Sequence, residues 1–204
     1  MARPRKVSDD DVYAAALRVM ARVGPGQLTL AEIAEEAGVT AGALVQRFGS
    51  KRDLLVRLAG LLGSGMSAFF AQLRAQHDSP LAVIRAYGEW MAEMARTPGA
   101  LLRNFAYLQV DLTDPDLRRQ LVAQSREVHK ELAASLREAI ARRELKRATD
   151  IPALVRNLDA IISGALLTWA FHHQGSAKTW IARHVDALLA PHCTRRTPSV
   201  SARQ

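Results

Sequence analysis

Apolar residues along this chain recur three and four places apart, and the runs are cut by capping residues. Sustained strand-period alternation bounded by hairpin turns is missing. Ser8 with Asp9, Asp10 and Asp11 places a cap and three acids at a helix start. Val12, Ala16, Val19, Met20 and Val23 follow at helical spacing until Gly24-Pro25-Gly26. Thr29 with Glu32 is a capping-box pattern, and Leu28 and Ile33 flank it as a hydrophobic staple. Gly38 predicts a left-handed helix end. Thr40 then caps a third helix, Val39 and Leu44 form a second staple, and Gly49 closes it. Ser50 and Asp53 open a long fourth helix through Leu54, Leu55, Leu58, Leu61 and Leu62.

The second half reads the same way. Ser79-Pro80 starts a helix with proline at its first position. Pro98-Gly99 breaks it, and a short helix follows through Leu101, Phe105 and Leu108. Asp114-Pro115 opens a long, salt-laced helix in which Glu138 and Arg142 are an i,i+4 pair. Asp150 and Pro152 start an apolar helix with Leu154, Leu158, Ile161, Ile162, Ala165 and Trp169. Gly175 and Ser176 separate it from a last helix with Trp180, Val185, Leu188 and Leu189. The end, residues 192–204, has no periodicity and reads as disordered. The expected fold class is all-α, without internal repeats.

Composition supports this picture. The 204 residues are 49% hydrophobic and only 5% aromatic, enough for one large or two small domains. No uninterrupted apolar run reaches the ~18 residues that cross a bilayer, and the charged start "MARPRKVSDDD" carries no signal-peptide core. Cys193 is the single cysteine, so neither a disulfide framework nor a thiolate cluster is expected. A cytoplasmic protein without membrane attachment and without cofactor is the expectation.

The net charge is +8, but its placement matters more than its size. Residues 1–57 hold nine basic against seven acidic residues, whereas residues 118–147 hold nine against four. Charge alone therefore says little about nucleic acid.

The short third helix says more. On a wheel of 100° per residue, Leu44 and Phe48 face a core. Gly42 and Gln46 fall nearly opposite, with Ala43 beside them and Arg47 on the flank. Small residues plus one amide and one guanidinium suit a helix whose backbone must approach something closely. A recognition helix in a major groove has that need, with its N-terminal residues near base edges. Gln46 fits a base edge, and Arg47 a guanine or a phosphate. The plainer alternative is a tight turn between two helices of a bundle.

The stretch "TLAEIAEEAGVTAGALVQRFGSKRDLL", residues 29–55, resembles the DNA-binding segment of the TetR (tetracycline repressor) family. Thr29, Ile33-Ala34, Ala37-Gly38-Val39-Thr40, Gly42, Leu44, Phe48, Ser50-Lys51 and Leu54 carry the likeness. It extends over residues 8–57 and, more loosely, into "LQVDLTDPDLRR" and "ISGALLTWAF". The resemblance implies a helix-turn-helix DNA-binding domain over 1–57 with a basic arm. It implies a helical ligand-binding and dimerisation domain over 58–191, then the tail over 192–204. DNA-contacting positions would be Arg5 and Lys6 of the arm, Thr29, Thr40, Ala41, Gly42, Ala43, Gln46, Arg47 and Lys51. Two departures stand out. Val45 occupies the usual aromatic position, and Ala41 a position that is often basic. Arg47 is the expected replacement for the lost phosphate grip.

Large side chains and stranded polar groups of the second half are the expected effector contacts: Met66, Phe70, Trp90, Met94, Asn104, Phe105, Leu108, Asp111, Trp169 and His172. The resemblance makes the last two helices a four-helix dimer interface, with Ile161, Ala165, Leu188 and Leu189 as contacts. His172 and His173, adjacent on a helix, point about 100° apart and do not chelate one ion together. No metal is expected. The function implied is a ligand-responsive transcriptional regulator. It would bind a pseudo-palindromic double-stranded DNA operator as a homodimeric repressor and be released by a small, largely apolar effector. Two other classes remain at this point. A helical enzyme lacks any nucleophile or phosphate-loop motif. A lipid- or partner-binding helical module that no longer binds DNA is the second.

Overall fold

A computed structural model describes residues 7–93 and 95–194. The expected arm residues Arg5 and Lys6, the effector candidate Met94 and the tail from 195 onward lie outside the described residues. Among the described residues the chain forms α1 (Asp9–Arg22), α2 (Leu30–Ala37), α3 (Ala41–Phe48), α4 (Lys51–Ser64) and α5 (Met66–Gln76). It continues with α6 (Pro80–Glu93), α7 (Pro98–Thr113), α8 (Pro115–Ala141), α9 (Ile151–His172) and α10 (Ala177–Leu189). A short 3-10 turn, Ala190–His192, follows. The all-α class is what the periodicity predicts.

The caps sit where the sequence puts them. Ser8, Thr29, Thr40, Ser50, Asp150 and Ser176 each accept a hydrogen bond from the backbone N–H three residues on. Such a cap contributes typically ~1 kcal/mol by satisfying an orphan donor of the first turn.

α4 holds all the leucines expected of the fourth helix and ends before Gly65, after which α5 follows. One element differs from expectation. Pro98 and Gly99 do not form a break; they are the first residues of α7, which Thr97 caps and which runs for 16 residues. Proline at the first helical position loses no hydrogen bond, so the same dipeptide signals a start as well as a stop. The end of the chain differs too. Residues 192–194 lie beside 144–146: Lys146 N–H donates to the His192 carbonyl at 2.9 Å and Thr194 N–H to the Glu144 carbonyl at 3.0 Å.

The helices group into two compact units. One comprises the described residues of 7–68 and 95–128, the other 69–93 and 129–194. In the first, Val12 and Val19 of α1, Ile33 of α2, Leu44 and Phe48 of α3, and Leu54 and Leu58 of α4 share a core that Tyr107 of α7 joins. The Tyr107 hydroxyl donates to the Val23 carbonyl at 3.0 Å, pinning the end of α1. Arg52 of α4 ties down the start of α8. Its guanidinium grips Asp114 at 2.5 and 2.8 Å and Asp116 at 2.6 Å.

In the second unit Phe70, Ile84, Leu132, Leu136, Leu158 and Ile162 are fully enclosed. α6 and α10 meet at Gly88, where a Cβ would stand 3.0 Å from Ile181 Cγ2. Only glycine allows that approach without a shift of the neighbour. Two segments, Lys51–Gln76 and Ile151–His172, are apolar and long enough to cross a bilayer by length and composition. No apolar run in them is uninterrupted, as expected; their mean hydropathy is high despite scattered polar residues. Both segments bury one face in protein, through Leu54, Leu58 and Phe70 in the first and Leu154, Leu158 and Ile162 in the second. A buried helix of a helical protein meets the same length and composition test.

Candidate nucleic-acid interface

The turn between α2 and α3 is built from Gly38 and Thr40. Gly38 stands at φ 72° and ψ 33°, the left-handed region that costs a residue with Cβ ~1 kcal/mol or more. The Val39 N–H returns to the Ala34 carbonyl at 2.9 Å, closing the end of α2. Thr40 then turns the chain, and its Oγ1 accepts from Ala43 N–H at 3.2 Å. Leu28, Ile33, Leu44 and Phe48 are all at most 2% exposed, so both short helices are held by their inner faces.

That packing leaves one face of α3 free. Gly42, Ala43, Val45, Gln46 and Arg47 are exposed. An added Cβ at Gly42 would meet nothing within 4 Å, so glycine is not required there by the protomer's own packing. Val45 is 50% exposed on this face. The helix start between Thr40 and Ala43 also presents backbone N–H groups of positive partial charge.

Two cations expected at the interface have intramolecular partners. Arg47 donates to the Val7 carbonyl at 2.9 Å and pairs with Asp9. Its guanidinium carbon also lies 5.6 Å from the Phe48 ring centroid. Lys51, half-buried, donates to the Leu28 carbonyl at 2.8 Å and more weakly to the Pro25 carbonyl at 3.4 Å. It thus steadies the loop before α2. Thr29 is exposed, and its hydroxyl donates to Glu32 at 3.0 Å. Thr40 is exposed and Ala41 half-buried beside it.

Sequence reading did not find the brace on α2. Glu36 receives Arg18 at 2.6 Å and Arg22 at 2.7 Å from α1. The two guanidinium hydrogen bonds, Arg18 first, hold the Glu36 carboxyl below its usual range. The separations of 18 and 14 residues exceed any local pattern, so no motif announces this pair.

The expected effector residues fall in both units. In the first, Met66 is buried, Asn104, Phe105 and Asp111 are half-buried, and Leu108 is exposed. Burial, and next the charge of Asp114, push the Asp111 carboxyl up. In the second, Phe70 and Trp90 belong to an aromatic group: Phe69 lies 4.8 Å from Trp90 and Phe70 5.1 Å from Tyr87, between ring centroids. Trp169 is 2% exposed, and its Nε1 donates to the Gly175 carbonyl at 3.1 Å, fastening the turn into α10. Its polar handle is thus occupied by the fold. His172 is exposed and stacks on Trp180. Among the described residues no group of three or more His, Cys, Asp or Glu stands together to hold a metal ion.

Two of the four expected dimer contacts are enclosed within the protomer. Ala165 is 4% exposed and Leu189 is fully buried, both within the protomer's own core. Ile161 and Leu188 are half-buried. The open face of α9 instead carries Ala160, Gly164, Leu167 and Phe171. The wheel separates these faces only once the helix phase is known, and an apolar helix with two apolar faces hides its phase.

Comparison with known proteins decides the family. A family model described as "Bacterial regulatory proteins, tetR family" matches residues 12–58. One described as "Tetracyclin repressor-like, C-terminal domain" matches residues 81–185, more than half of the chain. The chain belongs to the TetR family. Its curated relatives include "HTH-type transcriptional regulator BetI 1" of Chromohalobacter salexigens, 29% identical over 163 residues, covering 79% of this chain and 78% of that one. BetI of Paraburkholderia xenovorans is 25% identical over 189 residues, covering 91% and 95%. Among solved structures, FadR of Bacillus subtilis, in complex with stearoyl-CoA, superposes with TM-score 0.67 at 18% identity over 90% of this chain and 98% of that one. This TetR-family member is therefore a DNA-binding transcriptional regulator and not an enzyme. The helical-enzyme and DNA-free readings give way.

Proposed function

We propose that this regulator is a homodimeric repressor that reads a pseudo-palindromic operator through the exposed face of α3 and is released by a small, largely apolar effector. The face of Gly42, Ala43, Val45 and Gln46, held outward by the buried Leu44 and Phe48, carries the DNA part of this reading. Gly42 and Ala43 let the backbone approach base edges. Gln46 pairs with an adenine edge, and the Val45 methyls suit a thymine methyl. Phosphate contacts come from the N–H groups at the start of α3, from Thr29 and Thr40, and from Arg47, Lys51 and the arm residues Arg5 and Lys6.

Dimerisation joins α9 and α10 of two protomers, with Ile161, Leu167, Phe171 and Leu188 at the contact. Two recognition helices then lie one DNA turn apart, about 34–36 Å. The effector contacts are drawn from Met94, from Met66, Asn104, Phe105, Leu108 and Asp111 of the first unit and, separately, from Phe70 and Trp90 of the second. An effector shifts the protein away from the DNA-bound spacing only by its difference in affinity for the two states.

Footprinting on genomic fragments selected by the purified protein tests the reading. A protected palindrome whose half-sites are one helical turn apart is the expected outcome. A protected single half-site would refute the dimeric mode, and absence of any selected sequence would refute specific recognition.

A further inference from the structure

A cavity of about 510 Å³ opens where α8 ends and the chain returns towards α9. Ile140 and Ala141 supply apolar surface, and Arg143, Lys146 and Arg147 supply three cations. Thr194 adds a hydroxyl. This basin belongs to the second unit, and neither the DNA-binding face nor the expected effector contacts include any residue of it.

The neighbouring acids are turned to other partners. Glu144 accepts from the Ser79 hydroxyl at 2.7 Å, and Glu138 holds Arg142 at 2.5 Å. Asp150 caps α9. The basin is thus lined by cations without a carboxylate among its lining residues. Lys146 donates to the Pro191 carbonyl at 2.6 Å, which fixes its ammonium group beside the cavity. Thr194 donates to the Arg143 carbonyl at 2.5 Å, so the returning chain forms part of the wall.

Arg143 itself is out of place by backbone preference. It stands at φ 60°, in the left-handed position that closes α8, where glycine or asparagine is the common residue. A strained arginine at the lip of a cavity is an outlier that asks for a role of its side chain.

We propose that this basin binds a phosphate ester, an anion of two or more charges whose apolar portion rests on Ile140 and Ala141. Guanidinium groups match phosphate in a two-pronged geometry, and a lysine adds a point charge. The phosphate belongs either to a free nucleotide or to a lipid headgroup, and the two sources share this chemistry.

The test is calorimetric titration of the full-length protein with ADP, together with flotation on phosphatidylcholine vesicles with and without phosphatidic acid. Two variants accompany it. Arg143→Gly suits the local backbone and so keeps the fold, and Arg147→Ala removes a surface cation. Saturable ADP binding that each variant weakens on the order of tenfold supports a free nucleotide as ligand. Binding confined to phosphatidic acid vesicles, and lost in both variants, supports a lipid source. The proposal is overturned by wild-type protein that binds neither probe, or by variants that bind as wild type does. It is overturned equally if a random DNA duplex displaces ADP and both variants lose duplex affinity, since the cations would then serve nucleic acid.

Discussion

Arg47 of α3 reaches the opening of α1, where its guanidinium pairs with Asp9 and donates to the Val7 carbonyl at 2.9 Å. The cation expected to grip phosphate in place of the missing aromatic thus has a carboxylate partner in the free protein. The pair is solvent-accessible and worth less than about 1 kcal/mol, so a phosphate competes with it readily. Asp9→Asn should therefore tighten DNA binding a few-fold at low salt, while Arg47→Ala should loosen it by about tenfold. The Arg47→Ala loss should be equal for all sequences, as for a backbone contact. Anisotropy titrations over a salt series read both effects. If Asp9→Asn leaves affinity and salt slope unchanged, Arg47 serves the fold alone.

Gly42 separates folding from recognition. It lies in the first turn of α3, and a Cβ there meets nothing. Gly42→Ala should stabilise the free protein by ~0.5–1 kcal/mol through helix propensity. Gly42→Glu adds an acid at a helix N-terminus, which the helix dipole tolerates. The same acid faces phosphate, so DNA binding should be abolished with circular dichroism and melting temperature preserved. Measurable operator binding by Gly42→Glu would mean that α3 presents another face to the groove.

These two positions show what the sequence can and cannot disclose. Gly38, Thr40, Leu44 and Phe48 were legible because the local rules of capping and periodicity act within a few residues. The engagement of Arg47 with Asp9, and of Lys51 with the Leu28 carbonyl, was not legible. Those contacts join residues more than twenty places apart, and no local pattern encodes them. The second half shows the same boundary. Caps at Asp150 and Ser176 located α9 and α10, but their burial phase was ambiguous because apolar residues occupy both faces of α9. Ala165 and Leu189 were consequently expected on a surface that the core occupies.

Acid should unfold the protein in part through Glu36 and Asp114. Both carboxyls are held below the usual range, Glu36 chiefly by Arg18 and Asp114 chiefly by Arg52. A depressed folded value contributes stability above the unfolded value, near 4, and that stability disappears as pH falls through the folded value. Glu36→Gln and Asp114→Asn should thus lower the melting temperature at pH 7, with the deficit shrinking below about pH 4. Asp111 has the opposite sign, since burial raises it. Asp111→Asn should raise the melting temperature at pH 7, and this gain should fade in acid. Parallel pH profiles for all three variants and wild type would contradict these assignments.

Ser135 of α8 is 1% exposed, and its hydroxyl has no hydrogen-bond partner. An unsatisfied buried hydroxyl costs roughly 1–3 kcal/mol. Ser135→Ala removes it and improves helix propensity, so the variant should be more stable by about 1 kcal/mol or more. Chemical denaturation with unchanged m-value is the measurement. A loss of stability would show that the hydroxyl finds a partner, such as water, in solution.

The open stripe of α9 tests the dimer. Ala160, Gly164, Leu167 and Phe171 are spaced four, three and four residues apart, so they line one face of the helix. Phe171 is 72% exposed and Leu167 is 39% exposed, whereas a Cβ at Gly164 meets nothing within the protomer. Small residues at one end allow a second helix to approach closely, and the large side chains at the other supply apolar area to bury. A charge at Phe171 disturbs little of the protomer's own core. Phe171→Asp should therefore keep its helix content yet sediment as a monomer at micromolar concentration. Operator affinity should fall steeply with it, because two half-sites no longer bind as one unit. Arg85→Ala offers the contrast: it cuts the 2.6 Å pair with Asp186 inside the protomer and should leave the dimer intact. A dimeric Phe171→Asp variant with wild-type affinity would remove α9 from the interface.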